Sequence, residues 1–361
     1  IFVVQIVFSG NLMQDWLAAR AIATPEKIAL VDGSITLRYQ HLQDEVTRMC
    51  IRMEAAGIQR GDHIGMLMMS SALAVVPFFA ALRMGLVFVP LSQRLTAEEL
   101  DFQLRQSDCK WLLPYGTADT LAALRDKGHT LANLDHRIDQ KRLPAYRDAD
   151  IILENPALIV HTSGTSGKPK GAVLTAGNLF YSAMSSAYRI GHLPDDKWLC
   201  VLPLNHVGGL SILVRAVLYG ITVDLREKFE VQAINHALMH DDISLISLVP
   251  TMLYRLLEHG TPERWSHLRM VLLGGAAGTP ELLEKAQSAG VKVATTYGMT
   301  ETTSQIATLL PDAVLKKPAS VGRPLMFTQV RVVDENGADQ AVGDFGEVLI
   351  RGETVMQGYY K

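Results

Sequence analysis

Residues 161–175 read HTSGTSGKPKGAVLT. Between Thr162 and Gly171 they gather four hydroxyl side chains, three glycines and two lysines. Glycines let successive backbone N–H groups turn inward as an anion-binding nest, and the hydroxyls and lysines add donors and charge. The stretch therefore points to a phosphate cradle rather than a bare polar turn. A Walker loop needs G-x-x-x-x-G-K-[ST] between a strand and a helix. Here Gly164 and Gly167 are two residues too close, and Pro169 follows Lys168 where Ser or Thr belongs. The flanks ALIVHT and GAVLT both read as strands, so the loop is expected at the tip of a hairpin. That hairpin lacks the helix N-terminus that anchors phosphate in the Walker geometry. A P-loop NTPase is thereby disfavoured. The expectation is a loop that closes on the β- and γ-phosphates of a triphosphate and opens again. Its donors would be Thr162, Ser163, Gly164, Thr165, Ser166, Gly167, Lys168 and Lys170.

Outward from this hairpin the chain alternates strand and helix patterns. On its N-terminal side, WLAARAIATPEKIALVDG reads as helix then strand, and TLRYQHLQDEVTRMCIRMEAAG as a helix ending at Gly57. DHIGMLMM and LVFVPL read as buried strands around a helix, ALAVVPFFAALRM, that Gly85 terminates. TAEELDFQLRQSD is a further helix, with Thr96 as N-cap and Glu99 as its capping-box partner. On the C-terminal side, SLISLVP and MVLLGG are strands followed by helices, and VKVATTYG is a strand leading into Met299. This βαβ rhythm predicts an α/β fold of two mixed, mostly parallel sheets layered with helices. From Pro318 the texture changes to TQVRVVDENGADQ…GEVLIRG, with a hairpin signal at Asn336-Gly337. A small β-barrel-like subdomain is expected to begin there. The expected divisions are an extension over 1–12, a first α/β subdomain over 13–150, a second over 151–317, and the small β unit over 318–361.

Composition narrows the function. The net charge of −3 argues against a nucleic-acid binder working through a basic face. Three cysteines, Cys50, Cys109 and Cys200, show no metal or redox spacing and fit a reducing cytoplasm. Residues 64–82 are uncharged and long enough for a bilayer, but Pro77, the Ser70-Ser71 pair and weakly basic flanks favour a strand and a core helix. No membrane span is expected.

Three further motifs carry chemistry. TTYGMTETT, residues 295–303, runs a strand into a Tyr-Gly pair and then Thr-Glu. Tyr297 offers a flat face for a purine, Gly298 a close backbone approach, Thr300 a donor, and Glu301 a hard oxygen ligand for Mg²⁺. The same residues also suit a helix N-terminus with a capping glutamate. LLGGAAGTP puts small residues at the end of a buried strand, where open α/β sheets bind ligands. In LPLNHVGGLSILVRAVLYG, His206 precedes a Gly-Gly turn and a helix that is apolar apart from Ser211 and Arg215. His206 could therefore face a pocket at that helix's start.

These four motifs, in this order, resemble the adenylate-forming superfamily of acyl- and aryl-CoA synthetases, peptide-synthetase adenylation domains and luciferases. The likeness spans Met13 to Lys361 and includes LRYQHL, GLVFVPLSQRLTAEEL and GEVLIRGETVMQGYYK. Within it, the His206 and Tyr297 stretches look most like the o-succinylbenzoate–CoA ligases. Asn205 departs from the aromatic residue common before the histidine. The resemblance implies an ATP-dependent acid–CoA ligase that uses Mg²⁺ and coenzyme A. A carboxylate would attack the α-phosphorus, releasing pyrophosphate, and the thiol would then displace AMP. It also implies roles residue by residue. Thr162 to Lys170 would form the phosphate loop. Gly275, Ala276 and Ala277, with Thr296, Tyr297, Gly298, Met299 and Thr300, would hold the nucleotide. His206, Gly208, Gly209, Ser247, Thr251 and Gly275 would line the acyl pocket. Glu301 would bind the metal, and His206, Thr300, Glu301 and Lys170 would carry catalysis.

Family members continue past GYYK to a ribose-binding aspartate and a small domain with a catalytic lysine. The resemblance thus implies that these residues form an N-terminal core that binds ATP and acid and adenylates weakly alone. Rival readings are a ligase for another aryl or fatty acid of the superfamily, and a non-catalytic nucleotide-binding module. The partners expected are small molecules, with self-association left open.

Overall fold

The computed structural model describes residues 12–135, 150–162 and 168–361. Ser163, Gly164, Thr165, Ser166 and Gly167 lie outside the described residues, as does most of the expected 1–12 extension. The strands on either side of the glycine-rich loop form the expected antiparallel hairpin. Pro156–Thr162 pairs with Lys170–Thr175 in register from Leu158↔Leu174 to Thr162↔Lys170.

That hairpin belongs to a six-stranded sheet ordered Gly358–Tyr359, Lys170–Thr175, Pro156–Thr162, Val87–Ser92, His63–Met68, Trp111–Leu112. A nine-stranded sheet runs Arg323–Pro324, Ser304–Leu309, Val293–Met299, Met270–Leu273, Leu245–Leu248, Lys197–Cys200, Thr222–Leu225, Ile28–Asp32, Ile35–Arg38. Its interior pairings are parallel and its outer ones antiparallel. The expected pair of mixed, mostly parallel sheets is thus present.

Side-chain alternation sets the layers. Trp198 and Cys200 point into one core while their neighbours Leu199 and Val201 point into another. Ile64, Met66 and Phe88 join the first core, whereas Leu67, Val87 and Val89 face a third. Opposite faces of a strand thus serve different cores. The shared core also holds residues of helices Trp16–Ala23, Tyr39–Ala55, Ala72–Met84, Ala176–Ile190 and Val207–Tyr219. These helices therefore lie between the two sheets. Helices Val231–His240, Pro250–His259 and Pro280–Ser288 cover the outer face of the larger sheet. The helix Ala97–Gln106 and the helix Ala118–Asp126 cover that of the smaller one.

Local expectations hold in detail. Thr96 and Glu99 make the reciprocal capping box, and Gly85 ends Ala72–Met84 with a left-handed φ of 66°. The uncharged stretch 64–82 splits into a strand and that core helix. Among the described residues no helix is long and apolar enough to cross a membrane. Four features differ from the sequence reading. The segment ITLR forms a strand, and its helix begins only at Tyr39. Sheet membership also crosses the division expected near residue 150. Strands 28–32 and 35–38 join the nine-stranded sheet, while 156–162 and 170–175 join the other. Beyond 318, Thr328–Val333 pairs with Glu347–Gly352 as a two-stranded ribbon, but Gly358–Tyr359 returns to the six-stranded sheet. The Asn336-Gly337 turn bends the chain locally, with Val333 bridging Asp339, instead of joining the two ribbon strands directly.

Candidate active site

The parallel strands of the larger sheet end at one edge, and a cavity of about 540 Å³ opens there. Open α/β sheets bind ligands at this edge because helix N-termini and loops converge on it. Four chain segments build the wall. The first is the loop and helix start at 202–209. His206 takes the N-cap position of Val207–Tyr219, and its carbonyl accepts from Gly209 N and Leu210 N, both at 3.1 Å. A Cβ on Gly209 would sit 2.5 Å from the Pro203 carbonyl oxygen, so glycine is needed for the helix to start against this loop. His206 is exposed at the mouth by area, yet its crowded ring is desolvated. That burial, with the Arg94 guanidinium as a lesser cause, holds its pKa below the ordinary value.

The second and third segments are the ends of Leu245–Leu248 and Met270–Leu273. Ser247 lies on the wall and accepts a hydrogen bond from Trp198 Nε1 at 3.1 Å. Gly275 adopts a φ of 79°, which an L side chain rarely tolerates, and it lines the cavity. The fourth segment is 296–305. Val293–Met299 is followed by a single 3-10 turn, Thr300–Thr302, and not by a helix. The chain then reverses through Thr303 and Ser304 at φ 53° and 84°. Left-handed, non-glycine residues cost of order 1–3 kcal/mol each and persist where the surroundings over-determine them. Here the Thr303 hydroxyl donates to the Thr354 carbonyl at 2.8 Å, and the Thr303 carbonyl accepts from Ser182 Oγ at 2.6 Å. Gly298 permits the bulge, since a Cβ there would lie 1.5 Å from the Ser304 carbonyl oxygen.

Of the residues singled out in the sequence, His206, Gly208, Gly209, Ser247, Gly275, Thr296, Gly298, Met299 and Thr300 line this cavity. Ala276, Ala277 and Thr251 are exposed and are not among its lining residues; Tyr297 is half-buried beside it. Lys168 and Lys170 line a neighbouring cavity of about 430 Å³, with Tyr359, Tyr360 and Lys361. Glu301 connects to that side: its Oε1 accepts from the Tyr359 hydroxyl at 2.8 Å. Thr162 closes the hairpin stem, its hydroxyl 3.4 Å from the Lys170 carbonyl.

Among the cavity residues that the sequence reading did not assign to a ligand, Arg215 and Gln305 are the buried polar ones. Arg215 lies on Val207–Tyr219, is 1% exposed, and reaches the wall with its guanidinium 5.6 Å from the Trp198 ring centroid. Its Nε and Nη2 find no hydrogen-bond partner among the described residues. Desolvation lowers its pKa, but guanidinium starts so high that it stays cationic at neutral pH. Gln305 is also buried on the wall. Its amide N–H donates to Thr308 Oγ1 at 3.0 Å, while its Oε1 is unpartnered among the described residues. Arg215 did carry a signal, as the one charge in an otherwise apolar helix. Gln305 carried none.

The layered α/β architecture and a cavity between a histidine-capped helix and a strained YGMTET turn define an adenylate-forming core. The chain belongs to the AMP-binding enzyme family, whose profile matches residues 17–360. It is 34% identical over 349 residues to a 2-succinylbenzoate–CoA ligase of Bacillus licheniformis, covering 96% of this chain and 72% of that protein. It also resembles the o-succinylbenzoate CoA synthetase of Bacillus subtilis in complex with the acyl-adenylate intermediate OSB-AMP. That match has a TM-score of 0.88 at 33% identity, covering 97% of this chain and 72% of that one. The same Bacillus subtilis enzyme in complex with ATP and magnesium ion matches with a TM-score of 0.88 at 32% identity, covering 97% and 73%.

Proposed function

We propose that this chain is the ATP-dependent ligase that joins o-succinylbenzoate to coenzyme A through an acyl-adenylate. One carboxylate oxygen attacks the α-phosphorus of ATP and pyrophosphate leaves. The thiol of coenzyme A then attacks the acyl carbonyl and AMP leaves. Neither step needs a covalent bond to the protein, so the work is alignment and charge neutralisation. The observation that carries the choice of acid is Arg215. A buried cation with unpartnered N–H groups on the cavity wall calls for an anion within the acyl pocket. o-Succinylbenzoate has two carboxylates, so one remains to pair with a cation while the other is activated.

We assign Lys168 and Lys170 to the β- and γ-phosphates and Thr300 to the α-phosphate. His206 stands at the acyl mouth. We assign Glu301 to Mg²⁺, since its carboxylate is a hard oxygen donor beside the cavity that holds Lys168 and Lys170. One carboxylate plus substrate phosphates is the usual way Mg²⁺ is bound, and the ion supplies charge neutralisation at the departing pyrophosphate. The three cysteines are all unpaired, which suits a reducing cytoplasmic setting. The test is acid-dependent ATP–pyrophosphate exchange over a panel of aryl and fatty acids, followed by thioester formation with coenzyme A. Exchange with o-succinylbenzoate above all other acids is expected. A preference for a monocarboxylic acid would assign another ligase, and no exchange with any acid when a C-terminal domain of the family is supplied would favour a nucleotide-binding module.

A further inference from the structure

The closing strand reaches back into the site through one side chain. Gly358–Tyr359 pairs with the strand that follows the glycine-rich loop, in register Gly358↔Val173 and Tyr359↔Ala172. Backbone bonds flank this pairing, from Gln357 N to the Val173 carbonyl at 3.0 Å and from Tyr360 N to the Gly171 carbonyl at 2.8 Å. The sheet thus fixes where Tyr359 stands relative to the hairpin stem. From there its hydroxyl donates to Glu301 Oε1 at 2.8 Å, and Lys170 Nζ lies 5.2 Å from its ring centroid. A second tie runs the other way, from Met356 N to the Glu301 carbonyl at 2.9 Å. One residue therefore touches both the carboxylate on the 3-10 turn and the lysine at the foot of the phosphate hairpin. These two groups come from different sheets.

We propose that Tyr359 is a positioning residue that holds the Glu301 carboxylate and the Lys170 ammonium in fixed relation, so that both meet a metal-bound triphosphate. This rests on the reading of Glu301 given above. A carboxylate has about four acceptor positions, so one bond from a phenol orients it and leaves sites free for a hard cation. Outer groups of this kind, which orient a ligand without touching the metal, typically change affinity or activity by roughly 10–100-fold when removed. A phenol keeps its proton at neutral pH, so the Tyr359 hydroxyl is the donor and the Glu301 carboxylate the acceptor. The aromatic ring has the separate task of seating the lysine, whose ammonium lies over its face.

The two tasks can be separated. Tyr359→Phe removes the hydroxyl and keeps the ring; Tyr359→Leu removes both. ATP affinity is measured calorimetrically on the full chain, with and without Mg²⁺, beside the melting temperature. In Tyr359→Phe the gain in ATP affinity conferred by Mg²⁺ should shrink about 10-fold or more while metal-free ATP affinity is kept. Tyr359→Leu should in addition weaken metal-free ATP binding. Tyr359 is 44% exposed, so both variants should melt as the parent does. An undiminished Mg²⁺ gain in Tyr359→Phe overturns the proposal even if the parent ligates o-succinylbenzoate. A parent whose ATP affinity ignores Mg²⁺ overturns it together with the assignment of Glu301. A parent that gains affinity from Mg²⁺ but exchanges pyrophosphate with no acid sinks the ligase reading and leaves the positioning role standing.

Discussion

Replacing Arg215 by Met should separate acids by charge. The side chain is 1% exposed, its Nε and Nη2 are unpartnered among the described residues, and it lines the 540 Å³ cavity. A hydrogen bond to a charged group contributes roughly 1.5–3 kcal/mol, so its loss should lower kcat/KM for o-succinylbenzoate by about 10- to 150-fold. The mono-acids that lack one carboxylate each have nothing to lose at this position. Whichever of them is activated should change by no more than about threefold, since only uniform packing is disturbed. Stability moves the other way from an ordinary core truncation. Losing the stacked contact with Trp198 costs about 0.5–2 kcal/mol, while relief of an unpaired buried cation offsets a similar or larger amount. The melting temperature should therefore hold or rise. The assay is ATP–pyrophosphate exchange with each acid, beside thermal unfolding of the unliganded protein. Equal losses for the dicarboxylate and the mono-acid, or no loss for either, would refute the pairing of Arg215 with a second carboxylate.

Other expectations follow from the same geometry. Glu301→Gln should lower adenylation about 100-fold or more with an unchanged melting temperature, because it removes charge and little packing; a parental exchange rate would reject the metal assignment. Gly298→Ala should cost about 1–3 kcal/mol in denaturant unfolding, since its Cβ would overlap the Ser304 carbonyl. A variant as stable as the parent would contradict the bulge. His161 is half-buried, and desolvation lowers its pKa to about 4. The folded state therefore resists a proton that the unfolded chain takes up near 6.5, so stability is full above that pH and declines from 6.5 towards 4. Substituting His161 by Gln should flatten that decline in melting temperature, and matching slopes would exclude His161 as its source.

Much of this was legible in the chain. The hairpin at 156–175 could be read because alternating apolar runs bracket a loop that neither a helix nor a Walker turn accommodates. The capping box at Thr96 and the left-handed Gly85 were legible for a similar reason: each depends on residues within one turn. The YGMTET segment shows the limit. Its composition also suited a helix N-terminus, and only the pins from Ser182 and Thr354, more than 50 positions away, hold it as one strained 3-10 turn. Thr251 shows another limit, since SLVPT places it close to Ser247 along the chain. The strand ends at Leu248 and a helix begins at Pro250, so Ser247 faces the cavity and Thr251 faces solvent.

By itself the sequence determined the α/β class, the hairpin and the family. These rest on periodicity and on short motifs whose partners are close in the chain. Which strands share a sheet, and which side chains meet across sheets, was decided only by tertiary structure. The strand pair 28–38 joins strands some 190 residues away, and the hydroxyl of Tyr359 finds Glu301 58 positions back. Arg215 reads in one dimension as a misplaced charge. Burial and the absence of a partner among the described residues mark it as a buried cation on the cavity wall, the group we assign to the second carboxylate. The physical reason is common to all three: the cost of desolvating a charge and the register of a sheet depend on what packs alongside, and local spacing does not record it.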